Sequence, residues 1–369
     1  MGQKQTMRLL TRRELNRALL ERQLLLKRAA ITPLAAVEKL LGLQAQIPNP
    51  PYIGLWTRLA HFQRDDLTRL MQEKQIVRAA FMRSTLHLMT APDHQQFRQT
   101  IQPALVKALS AFFGKKSKGL DAEKLVAVAL SFLEEAPRTT GDLRACLLEA
   151  EPNADGDALA YLVKAYLPIV QIPPGGTWGS GSQGAYTLAD VYLDIPAEGD
   201  NLRTLFFRYL AAFGPASIMD FQAWAGMTKL QPLLEPYLAD LMQYRDEQGK
   251  ILFDLPNMPL PAADTPAPVR FVPEYDNLVL AHADRTRIIA DADRPRVFLS
   301  AARVMGTILV DGFVSGTWKT QLTKGNLTLT IEPFQPLPPE TRAELDTEAE
   351  SLMHFIEPAG KTYEVVFVE

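Results

Sequence analysis

The chain has 369 residues, 47% hydrophobic and 22% charged, which excludes a single small module and suits an ordinary globular protein of two to four compact units. Its 39 Lys and Arg against 42 Asp and Glu leave a formal net charge of -3, so the chain lacks the overall basicity that by itself marks a nucleic-acid partner, while a local basic patch stays open. The single cysteine, Cys146, excludes an internal disulfide framework, and His61, His87, His94, His282 and His354 lack the close pairing of a zinc site, so no metal is expected.

At the N-terminus no unbroken apolar segment precedes a cleavage site, and no run of about 18 apolar residues follows anywhere; the expectation is a cytoplasmic protein with no membrane span. Thr11-Arg12-Arg13-Glu14 has the capping-box pattern, and Leu15, Leu19 and Leu26 recur at helical spacing, which predicts a helix from Thr11 to Arg28. Residues 1–28 carry Lys4, Arg8, Arg12, Arg13, Arg17, Arg22, Lys27 and Arg28 against only Glu14 and Glu21, a basic face that reads either as a phosphate contact or as a solvated helix. Thr32-Pro33 caps a second helix that stops at Gly42, leaving Gln44-Ala45-Gln46 just beyond its end.

Leu67, Leu70 and Met71 mark a short helix. Met82 to Met89 then alternates with period two, predicting a strand with Arg83, Thr85 and His87 on one face. Residues 121–167 read as helices, and 168–189 as a hairpin with a wing-like loop, Pro173 to Gly181. Residues 201–255 repeat the order, with Gly214-Pro215-Ala216-Ser217 opening a helix that carries Phe221 and Trp224. Pro256 to Pro268 holds five prolines and reads as a connector. Strands follow at Val269 to Pro273, Gly306 to Val310, Phe313 to Lys319, Leu327 to Glu332 and Tyr363 to Val368. The acidic run from Glu340 to Glu350 reads as a solvated helix without a functional role. The fold class is α+β: three tandem winged helix-turn-helix units (1–115, 116–198, 199–262) and a small, mainly β domain (263–369). By fold-level analogy such units suit duplex DNA, and they equally serve as protein-interaction modules or scaffold.

Leu41 to Pro48, Tyr52 to Trp56 and Met82 to Leu88 resemble the AlkZ/YcaQ-type winged-helix DNA glycosylases. The likeness continues through Gly214 to Ser217 with Trp224, Pro273 to Asn277 with His282, Asp284 and Arg285, and Val310-Asp311-Gly312 with Gly316 and Trp318, so it spans nearly the whole chain. The resemblance implies a C-shaped monomer of three winged helices and a C-terminal β-barrel embracing double-stranded DNA. It also implies cofactor-free excision of N7-alkylated purines, bulky adducts and crosslinks among them. The family signature is Gln-x-Gln or Gln-x-Asp, which places catalysis on Gln44 and Gln46.

Glutamines make chemical sense there. An N7-alkylpurine is already cationic and leaves without the general acid that ordinary glycoside hydrolysis needs, so what remains is to place a water and stabilise an oxocarbenium-like transition state. A spacing of two in an extended segment puts both amides on one side, where they would share a water. From composition alone the same glutamines read as caps on backbone groups before Pro48. No lysine adjoins them in sequence, so no lyase step is expected. The expected DNA contacts are Arg8, Arg12, Arg13, Arg17, Arg83, Thr85, His87, Arg285 and Arg287, with Trp178 and Trp318 as wedges or as core covers, and Asp284 as a structural residue. The alternative is a non-catalytic winged-helix DNA-binding regulator or scaffold.

Overall fold

The computed structural model describes residues 7–181, 184–197 and 199–368, so Lys4 of the basic N-terminal group lies outside the described residues. The chain begins with β1 (Arg8–Leu9) and α1 (Arg12–Arg22). The Thr11 hydroxyl accepts from the Glu14 N–H while the Glu14 carboxylate accepts from the Thr11 N–H, the reciprocal cap the sequence predicts. The helix stops at Arg22 rather than Arg28 because Leu24 takes φ 58°, which breaks the helical ladder and turns Leu24 and Leu25 into the core. In α2 (Pro33–Lys39) the Thr32 side chain caps Ala35 N–H. Leu41 and Gly42, at φ 55° and 87°, then reverse the chain into β2 (Leu43–Gln44). A Cβ on Gly42 would stand 3.0 Å from the Leu88 carbonyl oxygen and from Met89 Cγ. Gly42→Ala is therefore expected to cost about 1–2 kcal/mol, the penalty of a left-handed L-residue, seen as a lower urea midpoint; an unchanged midpoint would show that the turn relaxes freely.

After α3 (Pro50–Trp56) and α4 (Arg64–Gln72) comes a hairpin of β3 (Ile76–Ala80) and β4 (Leu86–Thr90), followed by α5 (Ala91–Phe113). This corrects the expected strand over 82–89. Phe81 N–H donates to Thr85 O and Ser84 N–H to Phe81 O, both at 2.9 Å, and these bonds close a tight turn in which Arg83 and Ser84 take φ 53° and 59°. Arg83 sits at the hairpin tip, so it shares no strand face with Thr85 and His87.

A second helical group, α6 (Ala122–Glu135), α7 (Thr140–Ala150) and α8 (Gly156–Tyr166), leads into β5 (Ile169–Gln171), β6 (Tyr186–Leu188) and α9 (Ala189–Leu193). Its strands join those of the first group in one antiparallel sheet of order β2-β4-β3-β5-β6, with Arg78 opposite Gln171. The third group comprises α10 (Leu202–Phe213), α11 (Ile218–Ala225), α12 (Gln231–Leu234) and the hairpin β7 (Met242–Arg245) and β8 (Ile251–Asp254). β1 pairs in parallel with β7, so the N-terminus completes that sheet.

The C-terminal part holds β9 (Arg270–Val272), α13 (Arg294–Val297), β10 (Gly306–Val310), β11 (Phe313–Thr323), β12 (Asn326–Pro333), α14 (Pro339–Ile356) and β13 (Thr362–Phe367). Among the described residues its sheet runs β13-β12-β11-β10-β9 with two free ends, an open sheet rather than a closed barrel. The acidic run is indeed a helix, α14, but one face of it is buried. Leu345, Ala349, Leu352 and Met353 pack on the sheet, and Glu348 turns inward to Arg28 at 2.6 Å and Arg270 at 3.6 Å. The fold is thus mixed α+β.

One core runs through the groups. Tyr209, Phe213, Phe221 and Trp224 meet Leu19, Leu41, Phe81 and Phe97 from the first group and Leu278, Ile289 and Leu309 from the last. Two buried bidentate ion pairs cross the same seams, Arg22–Asp254 and Arg58–Asp276. Among the described residues no helix is long and apolar enough to cross a membrane, and no group of three or more His, Cys, Asp or Glu is placed to hold a metal ion.

Candidate active site

Gln44 ends β2, is 7% exposed and pairs across the sheet with His87. Its amide oxygen accepts from Arg83 Nη2 at 2.7 Å. The same guanidinium donates to Asn277 Oδ1 at 3.0 Å and to the Trp224 carbonyl at 2.8 Å, so residues from three parts of the chain converge on one side chain. Asn277 follows Asp276, which Arg58 grips from α3's C-terminal side at 2.8 Å through both guanidinium nitrogens. Burial, then the charge of Arg285, brings Arg83 down to about 10. It stays a cation at neutral pH, and its bond to Gln44 is charge-assisted.

Gln46 is exposed. Among the described residues its amide oxygen accepts one bond, from Leu86 N–H at 3.3 Å, and its backbone is held from beneath. Arg78, fully buried in β3, donates to Ala45 O at 2.7 and 2.9 Å and to Gln46 O at 3.2 Å. Gln46 lines a cavity of about 300 Å³ and a neighbouring one of about 190 Å³, whereas Gln44 faces a small cleft beside Pro50, Pro51 and Asn277. The two amides therefore open onto different spaces, and the shared-water expectation gives way to a division: Gln44 is anchored and Gln46 is open.

His87 is fully buried. Its Nδ1 lies 3.0 Å from Thr85 O, and its Nε2 is buried with no hydrogen-bond partner among the described residues. Burial first, then Arg83, pushes it down to about 3; it is a neutral residue under the site, with no charge to offer a phosphate. His94 and His282 are likewise pushed by burial to about 4 and about 3. Below the ordinary value of 6.5 the unfolded chain binds protons that the folded chain refuses, so stability rises with pH across this window. The Tm is expected to be flat above pH 7 and to fall between pH 6.5 and 5, where carboxylates still contribute little. A Tm constant over that interval would show that these rings protonate in place.

A family profile described as DNA glycosylase AlkZ-like matches residues 37–355. The chain belongs to the AlkZ-like DNA glycosylase family. Members of this family are hydrolases acting on N-glycosyl bonds. The chain is similar to an interstrand DNA cross-link repair glycosylase of Streptomyces sahachiroi, 22% identical over 318 residues that make up 81% of this chain and 85% of the relative. The solved structure of the Streptomyces sahachiroi DNA glycosylase AlkZ superposes with a TM-score of 0.81 at 19% identity, covering 97% of this chain and all of that one, which shows that the fold is shared.

Within this AlkZ-like chain the other expected contacts fall into distinct places. Arg17 is fully buried and donates to Thr265 O, Asp311 O and the Asp311 carboxylate. It clamps the N-terminal helix to the C-terminal domain and is not available to DNA. Arg13 pairs with the same Asp311 at 2.6 Å, Arg8 pairs with Glu14 at 2.7 Å, and exposed Arg12 borders a cleft with Asp246 and Glu247. The basic N-terminal segment is thus largely neutralised, by nearby Glu14 and by distant Asp254 and Asp311. Arg287 is buried and donates to Pro215 O at 2.7 Å, an internal tie. Arg285 lies half-buried over the Phe298 ring, Thr85 Oγ1 closes the hairpin turn on Met82 O, and Asp284 caps Thr286, as a structural residue would.

Trp318 is 6% exposed and bonds Val272 O through Nε1, so it covers a core rather than wedging. Trp178 is half-buried, edge-on to Tyr52 and Phe355. Both tryptophans line a cavity of about 500 Å³ that begins at Ile47 and Pro48. Sequence reading missed Arg78 and Lys164, the latter lining both cavities at Gln46. Their signal was available: each is a lone charge in an apolar run, Ile76–Ala80 and Ala158–Tyr166.

Proposed function

We propose that this protein is a monofunctional DNA glycosylase that hydrolyses the N-glycosidic bond of N7-alkylated purines in duplex DNA without a cofactor. The observation that carries the reading is the pair of unequal amides. Gln44, fixed by Arg83, is a rigid dipole. Gln46, with its second lone pair open to solvent and its backbone fixed by Arg78, is suited to accept a hydrogen from a water and point that water's oxygen at C1′. Water adds at C1′, the purine leaves with the bonding pair and loses its positive charge, and the water's proton passes to solvent. No side-chain acid is needed for a leaving group that is already cationic. In this reading Arg83, Arg78, Asn277 and Arg58 are positioning residues.

The Streptomyces sahachiroi relative is described as acting on interstrand crosslinks, and the cavity of about 500 Å³ beside Ile47 supports a bulky purine adduct here. The three helix-and-hairpin groups would act as winged helices with boundaries at 115, 198 and 262, and exposed Arg8 and Arg12 with half-buried Arg285 would border the DNA. We infer a monomer, the state the family resemblance implies, and a reducing cytoplasm, which suits the lone Cys146.

The test compares a duplex bearing one N7-methylguanine with the same duplex bearing one neutral 8-oxoguanine. Release well above the spontaneous rate is expected for the cationic base alone. Equal release of both, or preference for the neutral base, would overturn a mechanism that dispenses with a general acid.

A further inference from the structure

The cavity of about 300 Å³ at Gln46 is lined by Thr140, Arg144, Lys164, Gln171 and Tyr186, and the adjoining one shares Gln46 and Lys164. Among the described residues neither lining contains an Asp or Glu. Lys164 Nζ donates to Thr140 Oγ1 at 3.0 Å and stands 4.6 Å from the centre of the Tyr186 ring, so the ammonium is held in place rather than left to wander. Arg144 has one acidic partner, Asp157, whose side chain is 68% exposed, and Arg78 spends its donors on Ala45, Gln46 and Gln171 behind the wall. Lys164 and Arg144 thus meet at the cavity with Arg78 behind its wall, and the acid that acts on them, Asp157, pairs with half-exposed Arg144 from the solvent side, leaving buried Lys164 with no carboxylate in contact among the described residues. Such an arrangement is costly in a partly desolvated site unless an anion completes it. The strain shows in Lys164 itself, which burial first, then Arg78 and Arg144, pulls down to about 8.

We propose that this cavity is a phosphate site, in which Lys164 and Arg144 hold one phosphodiester of the strand that carries the target nucleotide and thereby set its sugar against Gln46. The inference rests on duplex DNA being the substrate, and it gives the family's activity a register: one backbone contact fixed next to the water-orienting amide. A hydroxyl and two cations around a pocket open to solvent form the donor set a phosphate oxygen takes.

Binding rather than excision tests it, so that failure of the glycosylase reading stays separate. The probe is a duplex with one tetrahydrofuran abasic analogue, titrated by anisotropy against KCl with wild type, Lys164→Ala and Lys164→Arg, each checked for an unchanged Tm. Lys164→Ala is expected to weaken binding about tenfold at low salt and to reduce the slope of log K against log [KCl] by about one, with Lys164→Arg restoring both. A single neutral methylphosphonate next to the analogue should reproduce that loss in wild type and add nothing in Lys164→Ala. An unchanged slope in Lys164→Ala, or additive losses at every methylphosphonate position, would overturn the proposal. A Lys164-dependent covalent adduct with a natural abasic site under borohydride would overturn it too, by showing the amine to be a nucleophile. Full retention of the slope effect in a protein that releases no base would sink the glycosylase reading and leave the phosphate site standing.

Discussion

Gln46→Ala is expected to lower the single-turnover rate of base release by about 10²- to 10³-fold, the scale of losing one preorganised polar group at a reacting centre, while DNA affinity changes by less than about threefold. The side chain is exposed and makes one long hydrogen bond, to Leu86 N–H, so its removal unsettles little of the fold. Ala45 and Gln46 carbonyls keep their bonds to Arg78, and the local backbone stays where it is. Gln44→Ala differs in kind. It strips Arg83 of one acceptor inside the protein, so it should lower both the rate and the Tm. Equal rates for wild type and Gln46→Ala would move the water-orienting role elsewhere.

Arg58→Ala is expected to be the most destabilising of these changes, by about 3–5 kcal/mol, because removing one partner of a buried pair leaves the other charge unpaired. Arg58 is 1% exposed and bonds both Asp276 oxygens, Gln23 O and Gly54 O. Asp276 in turn caps Leu278 N–H and carries Asn277 to Arg83. Urea unfolding measures the loss, and base release should fall with it, since Gln44 depends on that relay. The double variant Arg58→Met with Asp276→Leu should recover part of the stability and none of the activity. Full stability in Arg58→Ala would mean that the pair is incidental to the seam between these segments.

The features legible in the sequence are those set by near neighbours. The Thr11 and Thr32 caps and the reversal at Gly42 each depend on residues within one turn, and they place Gln44 and Gln46 just past a helix end as the sequence predicts. Strands β9 to β13 were legible for the same reason, since alternation is local, whereas their open arrangement depends on which distant strands pair. The arginines of α1 look unpaired along the segment because their partners Asp254 and Asp311 lie more than two hundred residues away. At Arg83 a period-two pattern concealed a turn whose bonds to Phe81 and Met82 outcompete extended backbone. The amides belong to the legible class; Arg78 and Lys164 stand out in the sequence as lone charges in apolar runs, but the partners of Arg78, Arg83 and Lys164 do not. Tertiary packing alone decides where those three point.

Monofunctional base excision is tested by one incubation of the protein with a duplex bearing a single N7-methylguanine, scoring free base and strand integrity in the same sample before and after alkali. Monofunctional excision predicts base released well above the spontaneous rate, with the strand intact until alkali cleaves it. No release, or a strand already nicked without alkali, would contradict it.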